Sequence, residues 1–162
     1  MNTINNNVVK KASGRLSISR VFNAPRELLW EAWAKPERLQ QWFRPNDEVK
    51  TVSTKVDVRV GGRYRLQMQH ADGEFYTAAG IYSEVKPPER LVFTWSWEKD
   101  GSEVDFGEVE PPEMQVTLEF RDLGRQSELT LIQEKFASDE SRDRHEQGWS
   151  DCFAQLAKHV EK

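Results

Sequence analysis

The sequence contains a single cysteine, three histidines and no apolar run near the roughly 18 residues that a membrane span needs. One cysteine, Cys152, excludes an internal disulfide and a zinc site built from several cysteines, and it fits a reducing compartment. The net charge of −4 argues against nucleic acid as the main partner, because phosphate binding needs a basic surface. The first residues lack the apolar run of a secretory signal, so we expect a cytoplasmic protein.

The chain has few hydrophobic residues, but many of these are large aromatic residues. Only 37% of its 162 residues are hydrophobic, yet six are Trp and eight are Phe. A chain of this length can bury a proper core without disulfides. We expect residues 1–14, which are rich in Asn and Lys, to form a disordered leader, and residues 15–162 to form one domain.

The spacing of apolar residues predicts one strand, two short helices and then a series of antiparallel strands. Apolar residues alternate with serines over 15–22, which is typical of a half-buried strand. Asn23 is the expected N-cap of the first helix, with Pro25 in its first turn, and a second helix starts at Pro36. A long polar loop is predicted over 99–113. The further strands are predicted at 52–60, 63–70, 75–85, 90–98, 114–121 and 126–135.

The last segment predicts a long amphipathic helix, with Ser138 as its cap and an apolar stripe from His145 through Trp149 to Val160. Gly148 interrupts the stripe, where it either lets the helix backbone approach the sheet or leaves space beside it. An apolar sheet face and one amphipathic helix indicate an α+β fold in which a curved antiparallel sheet wraps around the helix. Such closure often leaves a space that side chains do not fill.

Several words of the sequence, in their order and spacing, are similar to those of one known family. They span roughly residues 15 to 160 and read VFNAPRELLWEAWAKPERLQQWF, VGGRYRLQM, DGEFYTAAGIYSEVKPPERLVFTWSW and SELTLIQEKFASDESRDRHEQGWSDCFAQL. The chain thereby resembles the activator of heat-shock protein 90 ATPase homologue family, which belongs to the START-like (SRPBCC) helix-grip superfamily.

The resemblance implies a sheet of about seven strands that grips the last helix, two short helices after the first strand, and a ligand cavity between sheet and helix. It also implies that the protein holds an apolar small molecule, the activity that unites the superfamily. The family's last strand often ends in His, in a word like TLTH, where this chain has Gln133 within LTLIQ. A neutral amide cannot act as a general base near pH 7, so this departure disfavours an enzyme.

Residues that could carry metal or nucleophilic chemistry are few. His145 and Glu146 open an HExxH pattern, but position 149 is Trp149, and His70 and His159 are distant in the sequence. The sequence has no phosphate-binding loop, dinucleotide fingerprint or GxSxG elbow. We therefore expect neither a metal nor a cofactor.

The expected fold directs several large side chains toward the cavity, where they either line a pocket or fill the core. His145 is the candidate catalytic residue, as donor, acceptor or base; alternatively it makes a local hydrogen bond near the helix start. Trp97 and Phe106 are candidates for a lid or a partner-binding surface. The predicted ligand-binding residues are Trp33, Trp42, Tyr64, Met68, Trp95, Gln133, His145, Trp149 and Phe153.

The sequence favours binding of a small hydrophobic or aromatic molecule without catalysis. An alternative is a polyketide cyclase or hydrolase in the same cavity, with His145 and either Glu74 or Tyr64 as acid–base partners. A third hypothesis is a module that interacts with heat-shock protein 90, which the family name suggests. A homodimer, formed through an exposed strand or the aromatic loop, also stays open.

Overall fold

The computed structural model describes residues 7–99 and 108–161, which form one sheet and three helices. The helices are α1 (Arg26–Ala34), α2 (Pro36–Trp42) and, at the end of the chain, α3 (Asp139–Val160). Over the described ranges, no helix combines the length and the hydropathy of a membrane span. The strands are β1 (Val8–Ala12), β2 (Arg15–Phe22), β3 (Val49–Val56), β4 (Arg63–His70), β5 (Phe75–Lys86), β6 (Arg90–Glu98), β7 (Val109–Leu123) and β8 (Gln126–Glu134).

The eight strands pair in the order β1-β2-β8-β7-β6-β5-β4-β3, and each neighbouring pair is antiparallel. Helix α1 packs on β7 and β8, whereas α2 packs on β3. Helix α3 meets the inner face from β2, where the rings of Phe22 and Phe153 lie 5.9 Å apart, to β6, where Trp95 and Trp149 lie 5.0 Å apart. The predicted α+β helix-grip fold is therefore confirmed.

Period-two alternation along the strands builds the core. In β8, Leu129, Leu131 and Gln133 are fully buried on the inner face. Phe153 and Leu156 of α3 are also fully buried. Each Å² of apolar surface that these side chains remove from water contributes about 25 cal/mol, so the contact between α3 and the sheet stabilises the fold.

Helix α3 begins where the sequence predicts. The side-chain oxygen of Ser138 accepts a hydrogen bond from the backbone N–H of Ser141 at 3.1 Å. Asp139 and Glu140 lie in the first turn, where negative charge complements the helix dipole. The cap fixes the start of the helix that carries one wall of the cavity described below.

The expectation of a disordered leader is wrong over Val8–Ala12, which forms strand β1 and pairs with β2. All five residues of β1 are exposed, so the strand has no apolar alternation to reveal it; backbone hydrogen bonds hold it instead. Lys11 adds ion pairs to Asp143 at 3.1 Å and to Glu146 at 3.2 Å. With β1 included, the sheet has eight strands rather than about seven.

Three predicted boundaries also differ from the structure. Helix α1 has Pro25, not Asn23, at its N-cap position. Strand β3 covers Val49–Val56 instead of 52–60. Strand β7 begins at Val109, inside the predicted polar loop, because its backbone pairs with the end of β6 although its first residues are polar or exposed. The candidate lid residue Phe106 lies outside the described residues.

Replacing Ser138 with Ala tests the cap. We expect Ser138→Ala to lower the free energy of unfolding by about 1 kcal/mol, because the N–H of Ser141 loses its partner. Ser138→Asp is the control, since Asp caps equally well and should leave stability near that of the wild type. Urea denaturation followed by circular dichroism measures both; equal stability of the Ala and Asp variants would contradict the assignment.

Candidate functional site

A cavity of about 360 Å³ lies between the N-terminal half of α3 and the inner face of the sheet. Strands β3 to β6 form one wall, α3 forms another, and the segment after α2 closes a third side. Apolar atoms make up nearly all of its surface. The lining residues are Phe43, Pro45, Asn46, Val49, Met68, His70, Tyr76, Trp95, Trp97, Arg144, His145, Gly148, Trp149 and Cys152.

Gly148 accounts for part of this open space. A Cβ atom at this position would meet no atom within 4 Å. Gly148 therefore leaves space beside the helix and does not serve to bring the helix backbone close to the sheet. One turn further along α3, Cys152 is buried against the same cavity. Burial raises the pKa of the Cys152 thiol well above its usual value, so the side chain is neutral and acts as a small apolar wall.

The deep wall of the cavity is a cluster of aromatic rings that hold one another in place. The rings of Trp95 and Trp149 are 5.0 Å apart, and Phe43 packs edge-on to Trp149 at 6.0 Å. Trp97 meets Trp95 edge-on at 5.4 Å. Met68 adds a flexible thioether side chain to these rings. The cavity therefore combines a fixed aromatic wall with one adaptable element.

Gln133 lies behind Trp149 and not among the lining residues. Its side-chain oxygen accepts the indole N–H of Trp149 at 2.7 Å, and its amide nitrogen lies 3.4 Å from the sulfur of Met114. Gln133 is fully buried, so losing either partner would leave a polar group without compensation. The structure thus places this predicted ligand-binding residue where it orients the indole ring of Trp149.

His145 lines the cavity, and both nitrogens of its imidazole are engaged. Nε2 lies 3.1 Å from the indole nitrogen of Trp97, which can only donate, so Nε2 is the acceptor. Nδ1 lies 2.8 Å from the carbonyl oxygen of Ser141 and must therefore carry the proton. Burial lowers the pKa of His145, and the nearby charge of Arg144 lowers it further. The neutral ring satisfies both bonds, whereas the lone pair that a general base needs is already occupied.

The cavity adjoins a second, more polar groove beside the start of α3. Four side chains border both spaces: Tyr76, Trp97, Arg144 and His145. Tyr76 is 46% exposed, and its hydroxyl donates a hydrogen bond to the carboxylate of Glu74 at 2.9 Å. These four side chains form the border between the two spaces, which we call the mouth of the cavity.

Four of the predicted ligand-binding residues belong to the core instead. Trp33 and Tyr64 border a separate void of about 20 Å³, which has room for about one water molecule. Trp42 donates its indole N–H to a carbonyl of α1 at 2.8 Å, and Phe153 packs on Phe22 at 5.9 Å. For these rings, packing is the role that the geometry supports.

The acid–base partners considered for His145 do not converge on it. The hydroxyl of Tyr64 donates to the carbonyl oxygen of Thr94 at 2.5 Å, and burial raises the pKa of this phenol well above its usual value. Glu74 is exposed next to the turn between β4 and β5. Neither Tyr64 nor Glu74 lines the cavity that His145 borders. Across the described residues, no group of His, Cys, Asp and Glu is placed to hold a metal ion either.

Several residues that line the cavity are not among the predicted ligand-binding residues. Phe43 contacts Trp149 because α2 ends above α3, which is a long-range contact without a local signal. Tyr76 shares the phase of the buried Ala78 on β5, so strict alternation would have placed it on the inner face. Arg144 lies four residues before Gly148, and helical periodicity therefore puts both on one face.

The pKa of His145 can be checked directly, since the chain has only three histidines. We expect NMR titration of its ring to give a pKa below the usual 6.5, because protonation would add a buried charge and remove the acceptor for Trp97. The unfolded chain then binds the proton more readily than the folded one, so this contribution to stability is present above pH 6.5 and is lost on acidification. A pKa above 6.5 would contradict the geometry.

Comparison with known proteins places the chain in a family. The family model described as Activator of Hsp90 ATPase homolog 1-like protein (AHSA1) matches residues 23–161. The AHSA1 protein from Silicibacter pomeroyi is 26% identical, with a TM-score of 0.77 over 91% of this chain and 97% of that one. A structure from Chromobacterium violaceum is also 26% identical, with a TM-score of 0.75 over 91% and 98%.

A structure from Arthrobacter aurescens, 21% identical with a TM-score of 0.78 over 95% of this chain and 91% of that one, supports the fold alone. No curated protein matches the sequence. The family model nevertheless covers most of the chain, including both walls of the cavity. The protein therefore belongs to the activator of Hsp90 ATPase homolog 1-like family and has its helix-grip fold.

Proposed function

We propose that the protein binds a small hydrophobic or aromatic molecule in the cavity between α3 and the sheet, and that it holds this molecule without transforming it. The observation that carries the proposal is the cavity itself. Its volume of about 360 Å³ lies at the lower end of the range of roughly 300 to 1,000 Å³ that ligand pockets occupy. A core packed only for stability would not leave such a space, because interiors are close-packed.

The chemistry of the walls supports an aromatic ligand. Trp95, Trp97, Trp149 and Phe43 offer flat faces and ring edges, and aromatic pairs gain about 0.5–1.5 kcal/mol beyond the area they bury. Few polar atoms face the cavity, so a ligand with many hydrogen-bonding groups would leave them without partners. A bicyclic or similarly small aromatic body fits both the volume and the lining.

The state of His145 supports binding rather than catalysis. Its lone pair accepts from Trp97, its proton donates to Ser141, and the two residues considered as its partners lie outside the cavity. A polyketide cyclase or hydrolase would need a free acid or base within hydrogen-bond reach of the substrate. The chaperone hypothesis rests on the family name alone, and a fold-level analogy does not establish a function.

Filling the cavity from Gly148 tests the proposal. A Leu side chain at this position would occupy the space beside Trp149, whereas Ala adds one methyl group that meets no atom within 4 Å. We expect Gly148→Leu to weaken binding of naphthol by about tenfold or more, since overlap with a ligand costs about 1–3 kcal/mol. Titration followed by tryptophan fluorescence gives the Kd, and a thermal shift gives an independent reading.

Gly148→Ala is the matched control. It should keep binding close to that of the wild type and raise the free energy of unfolding by up to about 1 kcal/mol, because Ala favours the helix. If naphthol and related neutral bicyclic compounds neither bind the wild type nor raise its melting temperature, the proposal fails. Equal binding by the Leu and Ala variants would show that the ligand sits elsewhere.

A further inference from the structure

Arg144 places a cation at the mouth of the apolar cavity. It lines both the cavity and the outer groove, and its side chain is exposed. In the described part of the chain, its guanidinium makes neither an ion pair nor a hydrogen bond. The nearby Arg142 differs in this respect, since it binds Asp139, Asp143 and the carbonyl oxygen of Ala12.

Two of the acidic groups near Arg144 on α3 are engaged by a cation from β1, whereas Glu140, one turn before Arg144, is exposed and forms no ion pair with it. Asp143 and Glu146 both lie within 3.2 Å of the ammonium group of Lys11, which reaches over from β1. These contacts hold the pKa of Asp143 below its usual value and raise that of Lys11. The carboxylates closest to Arg144 in sequence are therefore compensated by β1 and do not neutralise Arg144.

Two other polar side chains that line the cavity have partners within the protein. Tyr76 donates its hydroxyl to Glu74 at 2.9 Å, and His70 lies 3.5 Å from a carboxylate oxygen of Asp72 and 3.7 Å from one of Glu48.

Among the described side chains that line the cavity, Arg144 is the one that carries a permanent full charge, and this charge acts on the adjacent His145. The outer groove also contains the carboxylate of Glu110 and the ammonium group of Lys99, which pairs with Glu108. An anion that enters the apolar cavity would therefore be attracted to Arg144.

From this arrangement we propose that the ligand is an aromatic or otherwise apolar acid, whose ring body fills the cavity and whose carboxylate pairs with Arg144 at the mouth. The inference rests on the proposed binding function and adds the chemical class of the ligand. A guanidinium suits this role because its two parallel N–H groups bind a carboxylate in a fixed geometry. The apolar body supplies most of the affinity, and the carboxylate sets the orientation of the ligand.

A pair of ligands that differ only in charge tests the inference. Naphthoic acid and naphthamide share the same bicyclic body, but only the acid is anionic at pH 7.5. We expect the wild type to bind the acid more tightly than the amide, because only the acid forms an ion pair with Arg144. The difference should be roughly three- to tenfold, since water screens a partly exposed ion pair. The preference should shrink as salt is raised, as it does for any exposed ion pair.

The matched variants are Arg144→Gln and Arg125→Gln. Arg125 is another exposed arginine that pairs with none of the described residues, but it lies in the turn between β7 and β8, far along β7 from the cavity. Arg144→Gln should bind acid and amide equally, with amide affinity unchanged. Arg125→Gln should keep the preference of the wild type. Circular dichroism and melting temperature confirm that each variant is folded.

The outcomes separate the two proposals. Equal binding of acid and amide by the wild type would overturn the acidic ligand and leave the binding function standing. Preference for the acid that survives in Arg144→Gln would overturn the role of this residue. If neither compound binds the wild type, the binding function fails, and the inference that rests on it fails as well.

Discussion

The hydrogen bond between the indole of Trp149 and the side chain of Gln133 ties α3 to the sheet at the inner end of the cavity. Both groups are buried, and the bond is 2.7 Å long. Because an unsatisfied buried donor or acceptor costs about 1–3 kcal/mol, the helix cannot turn or slide at this point without loss. Trp149 is thereby held against Trp95 and Phe43, which close the inner end of the cavity.

This anchor divides α3 into two parts with different tasks. From Phe153 to Val160 the inner side chains are buried, and the helix packs tightly on the sheet. Before Trp149, the helix presents Gly148, His145 and Arg144 to the cavity, where packing is incomplete. The packed part from Phe153 to Val160 stabilises the fold, so the part before Trp149 can leave space unfilled. Strand β1 supports the loose end through Lys11, which binds carboxylates on the outer side of α3.

The order of the elements and the fold could be predicted because they depend on local patterns and on long motifs. Local sequence patterns indicated several elements: apolar alternation marked β2 and β8, and α3 was marked by Ser138 at its start and by the apolar stripe from His145 to Val160. Strand β1 could not be found in this way, since backbone pairing with β2 holds it and its side chains are all exposed. The start of β7 could not be predicted for the same reason, because its backbone pairs with the end of β6.

The lining of the cavity could be predicted in part. Met68, Trp95, His145 and Trp149 line the cavity, since each lies on the inner face of a regular element; that they bind a ligand stays a prediction. Trp33, Trp42, Tyr64 and Phe153 lie on inner faces too, but periodicity cannot tell a ring that borders a cavity from one that fills the core. Phe43 and Gln133 depend on contacts between distant segments, which no local pattern encodes.

The central claim is that the space before Trp149 receives a ligand. Its most direct test is a nitrogen–proton NMR spectrum of the six indole N–H groups during titration with naphthoic acid. The account predicts saturable shifts at Trp95, Trp97 and Trp149, which border the cavity, and little change at Trp30 and Trp42, which lie outside its lining. Shifts at Trp30 and Trp42 without shifts at the other three, or no saturable shift at all, would contradict it.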